Sequence, residues 1–99
     1  EHTDVLLTPT NACAPFAAEG PMPTVIGGRA CHGGHAALLT MLANIANLPS
    51  ISVPAGLTAD GLPIGLMITV PRHREDICLR LARIFEQAAP WPLHAPGFT

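Results

Sequence analysis

The sequence predicts an α/β chain in the order strand, long loop, helix, strand, strand, helix, tail. Three observations predict it. Two segments carry apolar residues at helical spacing. Three short runs are either continuously apolar or alternating, and each is closed by Pro or Gly. Between the first run and the first helix lies a stretch of about 25 residues with no periodicity. A loop of that length is uncommon in a compact domain and tends to be functional or disordered.

The elements follow in order. Asp4-Val5-Leu6-Leu7-Thr8, closed by Pro9, reads as a buried strand. Residues 9–34 form the long loop, with four prolines and five glycines. From His35 to Ala46 a helix is predicted, since Leu38, Met41, Leu42 and Ile45 fall at i, i+3, i+4 and i+7. Its other face carries no charge, so it reads as buried nearly all round. Asn47 suits a left-handed helix end, and Pro49 prevents continuation. Ser50-Ile51-Ser52-Val53 alternates and reads as a strand ended by Pro54 and Gly56. Asp60-Gly61 marks a turn, and Ile64 to Val70 reads as an adjacent strand covered on both faces. Residues 74–89 give the second helix, with Ile77, Leu81, Ile84, Phe85 and Ala88 on one stripe and Asp76–Arg80 as an i, i+4 pair. The tail from Trp91 is apolar and expected to pack along a surface.

Composition narrows the possibilities. Hydrophobic residues make up 48% of the 99 and charged residues 12%, about half the usual charged share of ~25%. A chain this short has much surface for its volume, so it reads as part of something larger or as the owner of a large apolar interface. All the cationic side chains are arginine, five in number and without a basic run, which gives no footprint for nucleic acid. No apolar run approaches the ~20 residues of a membrane span. Three cysteines, at 13, 31 and 78, read as free thiols of a reducing compartment, and a cytoplasmic location is expected. The chain begins at Glu1 with no signal-peptide pattern, so a natural start upstream, or a trimmed one, is expected.

Spacing alone yields no catalytic constellation. Cys31-His32-Gly33-Gly34-His35, with Cys13 as a possible fourth ligand, is the densest set of soft ligands, but its spacing matches no zinc pattern. Ser50 and Ser52, the only serines, lack a nucleophile-elbow context and alternate as strand hydroxyls do. Cys31 and His32 are adjacent and cannot aim at one another as a thiol–imidazole pair. Gly27-Gly28 precedes no basic phosphate motif.

The order of several motifs carries more information than any one of them. They are Asp4-Val5-Leu6-Leu7-Thr8-Pro9-Thr10, Ala14-Pro15, Asn44, Leu48-Pro49-Ser50-Ile51-Ser52-Val53-Pro54-Ala55-Gly56, Asp60-Gly61-Leu62-Pro63-Ile64-Gly65-Leu66-Met67, then Trp91 and Pro96. Over residues 3–97 this resembles the C-terminal portion of the amidase signature family. Leu42 stands where that family usually has Pro, Asn47 where it has Gly, and Met67 where Gln is common.

The resemblance implies the C-terminal part of a mixed-sheet amidase-signature fold. Residues 1–99 would be a fragment of one domain, not an independent one. It implies a parent that cleaves carboxamide C–N bonds through a serine acyl-enzyme, with a Ser–Ser–Lys triad and no cofactor or metal. The resemblance implies that all three lie in the N-terminal and central parts of the family, and the chain has no lysine to serve as the base, so it is expected to hold no catalytic residue of that triad. The triad would come from the remainder of the chain or from a second chain, and the substrate would be a small amide. The stretch 27–34 and the helix after it are expected to be the most functional. Ala37, Thr40, Met41 and Asn44 are expected to line the substrate cleft, with Asn44 holding the turn into the strand at 50–53. The alternative is a stand-alone interaction module with an apolar interface.

Overall fold

A computed structural model describes residues 4–95, 97 and 98; Pro96 of the motif set lies outside the described residues. The chain contains both helices and strands. Its sheet comprises β1 (Leu6–Pro9), β4 (Ser50–Leu57) and β5 (Pro63–Thr69), in the order β1-β5-β4 with both pairings antiparallel. A two-residue hairpin, β2 (Val25–Ile26) and β3 (Arg29–Ala30), stands apart. Helix α1 (Leu38–Ala46) precedes β4, and helix α2 (Glu75–Ala88) follows β5.

The alternation of side chains splits the sheet into two unlike faces. Leu66, Ile68, Val70, Ile51 and Val53 point to one side, where α2 covers them with Ile77, Cys78, Leu81, Ala82 and Phe85. The Cys78 thiol donates to the Ile68 carbonyl at 3.6 Å. Trp91 closes this core beside Phe85, ring centroids 6.4 Å apart. The other side carries hydroxyls. Ser50 and Thr69 are paired at 2.9 Å, Ser52 and Thr10 at 2.6 Å, and the Thr8 hydroxyl is buried with no hydrogen-bond partner among the described residues. In β5 the residues Met67, Ile68 and Thr69 are buried, so this strand is covered on both faces in its second half, as its apolar run predicts.

Several expectations require correction. The run at 4–8 is not a buried strand. β1 lies at a sheet edge with Leu6 and Leu7 exposed, because pairing reaches it from one side only. Pro54 does not end β4. The strand runs on to Leu57 through an irregularity between Pro54 and Gly56, which an edge strand tolerates because the missing proline N–H falls where no partner strand needs it. The long loop is not structureless: Gly27 and Gly28 take φ of +58° and +77° and turn the β2–β3 hairpin. Residues Gly33–Ala37 form a 3₁₀ turn, so the α-helix starts at Leu38 rather than His35. Asp76 grips Arg74 at 3.0 and 3.1 Å instead of pairing with Arg80. Of the large apolar side chains in the described tail only Trp91 packs, while Leu93 and Phe98 stand exposed.

The largest correction concerns α1. Its apolar stripe faces outward: Leu38, Met41, Leu42 and Ile45 are 52, 47, 50 and 78% exposed. The helix instead rests on small residues, with Ala43 buried, beside the buried Ala36 of the preceding turn. The cause is the thinness of the chain. It measures 38 × 37 × 19 Å with a radius of gyration of 15.1 Å, against ~13 Å for a compact chain of about 100 residues. Among the described residues no second layer covers the stripe, and no helix is long and apolar enough to cross a membrane.

Exposed apolar surface on this scale drives association. The purified chain is expected to sediment as oligomers, and Ile45→Lys is expected to weaken that association by about tenfold, the equivalent of ~1.4 kcal/mol. Concentration-dependent analytical ultracentrifugation measures both. A sharp monomer for the unsubstituted chain at high concentration is the contrary result.

Candidate substrate cleft

The cleft is built where the chain leaves β1. Pro9 closes the strand, and the Thr10 N–H donates to the Gly65 carbonyl at 3.0 Å, extending the ladder one residue further. Two residues later the Ala12 N–H donates to the Ala36 carbonyl at 3.2 Å, tying the same loop to the 3₁₀ turn. The loop therefore projects between two shallow clefts. One, of about 260 Å³, lies against Thr58, Pro63, Ile64 and Gly65; the other, of about 220 Å³, against Phe16, Met22, Ala36 and Ala37. Asn11, Cys13, Ala14 and Pro15 line both. Among the described residues no charged side chain lines either one, so each suits an uncharged ligand group.

Of the four residues expected at the site, only Ala37 lines one of these clefts. It sits at the N-terminal end of α1, where its carbonyl accepts the Thr40 hydroxyl at 2.8 Å. Met41 and Asn44 lie on the open side of the helix. The turn into β4 is held by backbone rather than by the Asn44 side chain. The Leu48 N–H donates to the Ala43 carbonyl at 2.9 Å and the Asn47 N–H to the Asn44 carbonyl at 3.3 Å. Arg72 reaches over from the end of β5 and donates to the Asn47 and Ala46 carbonyls at 3.2 and 3.3 Å, placing a cation at the negative end of the helix. Asn47 has φ +56°, a left-handed conformation that asparagine tolerates better than most residues. That is why Asn can stand where the resembling family has Gly.

The Cys31–His35 cluster has a local task. His32 Nδ1 accepts the Gly34 N–H at 3.2 Å and His35 Nδ1 accepts the His32 N–H at 3.3 Å. The two rings stack at 4.2 Å. They cap the 3₁₀ turn, and among the described residues no three His, Cys, Asp or Glu side chains gather as a cation site. Within 27–34, Gly33 abuts Met22 so closely that a Cβ would lie 2.9 Å from it. The residues missed by sequence reasoning, Asn11, Cys13, Phe16 and Met22, lie in the aperiodic loop. The only signals there were the Pro9-Thr10 and Ala14-Pro15 motif positions.

Burial, and then the nearby Glu75 carboxylate, push the Cys78 thiol above its ordinary range. A thiol pKa raised by folding contributes stability below its unfolded value of about 8.5, and loses it as pH rises through the folded value. Stability is therefore expected to fall at alkaline pH. In peptide-resolved alkylation at pH 8, the half-buried Cys13 and Cys31 are expected to react well before Cys78. Equal rates at all three would contradict the buried, protonated thiol.

Comparison with known proteins places this geometry. A protein-family model described as Amidase matches residues 1–79. An acylamidase of Rhodococcus erythropolis is 40% identical over 95 residues, covering 95% of this chain and 20% of the relative. A glutamyl-tRNA(Gln) amidotransferase subunit of Synechococcus sp. (strain RCC307) is 40% identical over 93 residues, covering 90% and 17%. Among solved structures, a bacterial aryl acylamidase described as an amidase signature enzyme superposes with a TM-score of 0.79 at 39% identity, over 89% of this chain and 19% of that one. The chain spans about a fifth of the length of these relatives.

Proposed function

The chain belongs to the amidase signature family, and from that premise we propose that it is the C-terminal portion of an enzyme that hydrolyses small carboxamides. In this reading residues 1–99 are one part of a single catalytic domain. The antiparallel strands β1, β5 and β4 join further strands of a mixed sheet supplied by the remainder of the polypeptide, or by a second chain. That remainder also supplies the Ser–Ser–Lys triad. A nucleophilic serine attacks the amide carbonyl, the lysine moves the proton to the leaving amine, and water releases the acyl-enzyme. In this reading the chain contributes no group to those steps: it has no lysine to act as the base, and both serines of the triad belong to the remainder.

Its contribution is a wall of the substrate cleft. The observation that carries this reading is the uncharged lining of the cleft beside Ala37. A neutral acyl group enters such a surface without stranding a charge. Ala37, Thr40, Met41 and Asn44 form successive positions along one side of α1, at i, i+3, i+4 and i+7. Ala37 leaves room for the acyl chain. Met41, unbranched and half-exposed within this chain, adapts to different chain lengths. Covering the neighbouring stripe of Leu38, Leu42 and Ile45 with the remainder of the enzyme would turn the open side of α1 into an enclosed pocket. A cytoplasmic location fits the free thiols.

Two outcomes are expected. The purified 99-residue chain shows no hydrolysis of a simple aryl amide above a boiled control, and measurable turnover would overturn the assignment of the triad to other residues. In the complete enzyme, Met41→Trp narrows the pocket. It lowers kcat/KM for long-chain aliphatic amides by about 10- to 200-fold more than for short ones. The measurement is a chain-length series on both enzymes. An equal loss across the series would reduce Met41 to a packing residue.

A further inference from the structure

The loop that separates the two clefts is rooted in a contact that spans the sheet. Thr10 follows β1, and Ser52 belongs to β4, on the opposite side of β5. Neighbouring strands lie about 4.8 Å apart, so side chains two strands away ordinarily meet over an intervening side chain. Here the intervening residue is Gly65. A Cβ at that position would lie 2.6 Å from the Thr10 hydroxyl and 2.9 Å from the Ser52 hydroxyl. The glycine leaves the space in which these two hydroxyls meet at 2.6 Å.

That bridge and the Thr10 N–H bond to Gly65 fix the loop at one point, and the Ala12 N–H bond to Ala36 fixes it at a second. Beyond them, among the described residues, positions 13–16 make no hydrogen bond of their own. Their placement therefore follows from where Thr10 and Ala12 hold the chain. Cys13, Ala14, Pro15 and Phe16 line the cleft that Ala37 also lines.

We propose that Thr10 and Ser52 are positioning residues: their hydroxyl bridge over Gly65 sets residues 11–16 as the wall facing Ala37, and so sets the length of acyl group the cleft admits. This rests on the reading of Ala37 as a cleft residue of an amide hydrolase. Neither hydroxyl touches the substrate. Each acts through the loop, so its loss is felt in substrate binding more than in chemistry.

The test uses the complete enzyme and acyl anilides of increasing chain length. Thr10→Val and Ser52→Ala each raise KM for the longer acyl groups by about three- to tenfold, the scale of one lost hydrogen bond. The change in kcat stays within about twofold. The double variant is no worse than either single one, because both remove the same bridge. Thr10→Ser and Ser52→Thr keep a hydroxyl and retain the original KM. Ser50→Ala removes the neighbouring Ser50–Thr69 pair, which does not touch the loop, and leaves KM unchanged. Iodoacetamide labelling at Cys13, read by peptide mass spectrometry, gives a readout free of activity: it accelerates severalfold in Thr10→Val and Ser52→Ala but not in Thr10→Ser. Unchanged KM and unchanged Cys13 labelling overturn the proposal alone, and so does a loss confined to kcat or to the folded fraction. Absence of turnover on every anilide by the unsubstituted enzyme overturns the amide reading and the proposal with it.

Discussion

Everything in this chain is referred to strand β5. Among the described residues it is the one strand paired on both edges, with β1 and β4, and its second half is buried on both faces. One edge of β5 satisfies the backbone of β4, its hairpin neighbour, and the other that of β1, which the sequence places far away. Each face has a different occupant. Ile68 and Val70 seat α2, while Gly65 and Thr69 receive hydroxyls from β4 and from the end of β1. A side chain at position 65 would separate Thr10 from Ser52, and overpacking at a well-filled contact typically costs about 1–3 kcal/mol. The central strand thus carries both the hydrophobic core and the root of the loop that shapes the clefts.

The two helices are held in different ways, and this accounts for the uneven burial. The α2 face is a small core of aliphatic and aromatic side chains around Cys78. The α1 side is held by backbone hydrogen bonds, small residues and one long-range cap, Arg72 on the last carbonyls of α1. A helix attached by alanines keeps its large side chains free. Leu38, Met41, Leu42 and Ile45 are therefore available to whatever else packs there. A chain spanning about a fifth of its relatives has that kind of surface when the rest of a core is made elsewhere.

The candidate site shows the same division of labour. Its uncharged lining comes from a loop of proline, alanine, cysteine and asparagine, and among the described residues no Asp, Glu, His or Arg lines either cleft. Such a surface selects by shape and by exclusion of charge. Of the most reactive-looking cluster in the sequence, His32 and His35 cap a 3₁₀ turn, while the Cys31 thiol donates to the Pro23 carbonyl. The two rings stack, but Cys31 turns to a backbone carbonyl, so among the described residues these neighbours in sequence form no set of three ligands.

The sequence by itself determined the helices and the pairing-competent strands, since periodicity reports which residues share a side of an element. It located the left-handed turn at Asn47, because asparagine tolerates that conformation and Pro49, two residues on, stops the helix from continuing. It also pointed to the family, through the order of motifs from Asp4 to Trp91. Only the tertiary structure decided which apolar stripe is covered. The stripes on α1 and α2 look alike in sequence, yet one lies on the sheet and the other faces outward, because burial depends on what stands opposite. Tertiary structure also decided that β1 is an edge, that Pro54 sits within a strand, and that Asp76 pairs with Arg74. The loop at 11–16 was illegible for a related reason. It has no periodicity, and its placement comes from Gly65 and Ser52, residues more than 40 positions away that only the folded sheet brings beside Thr10.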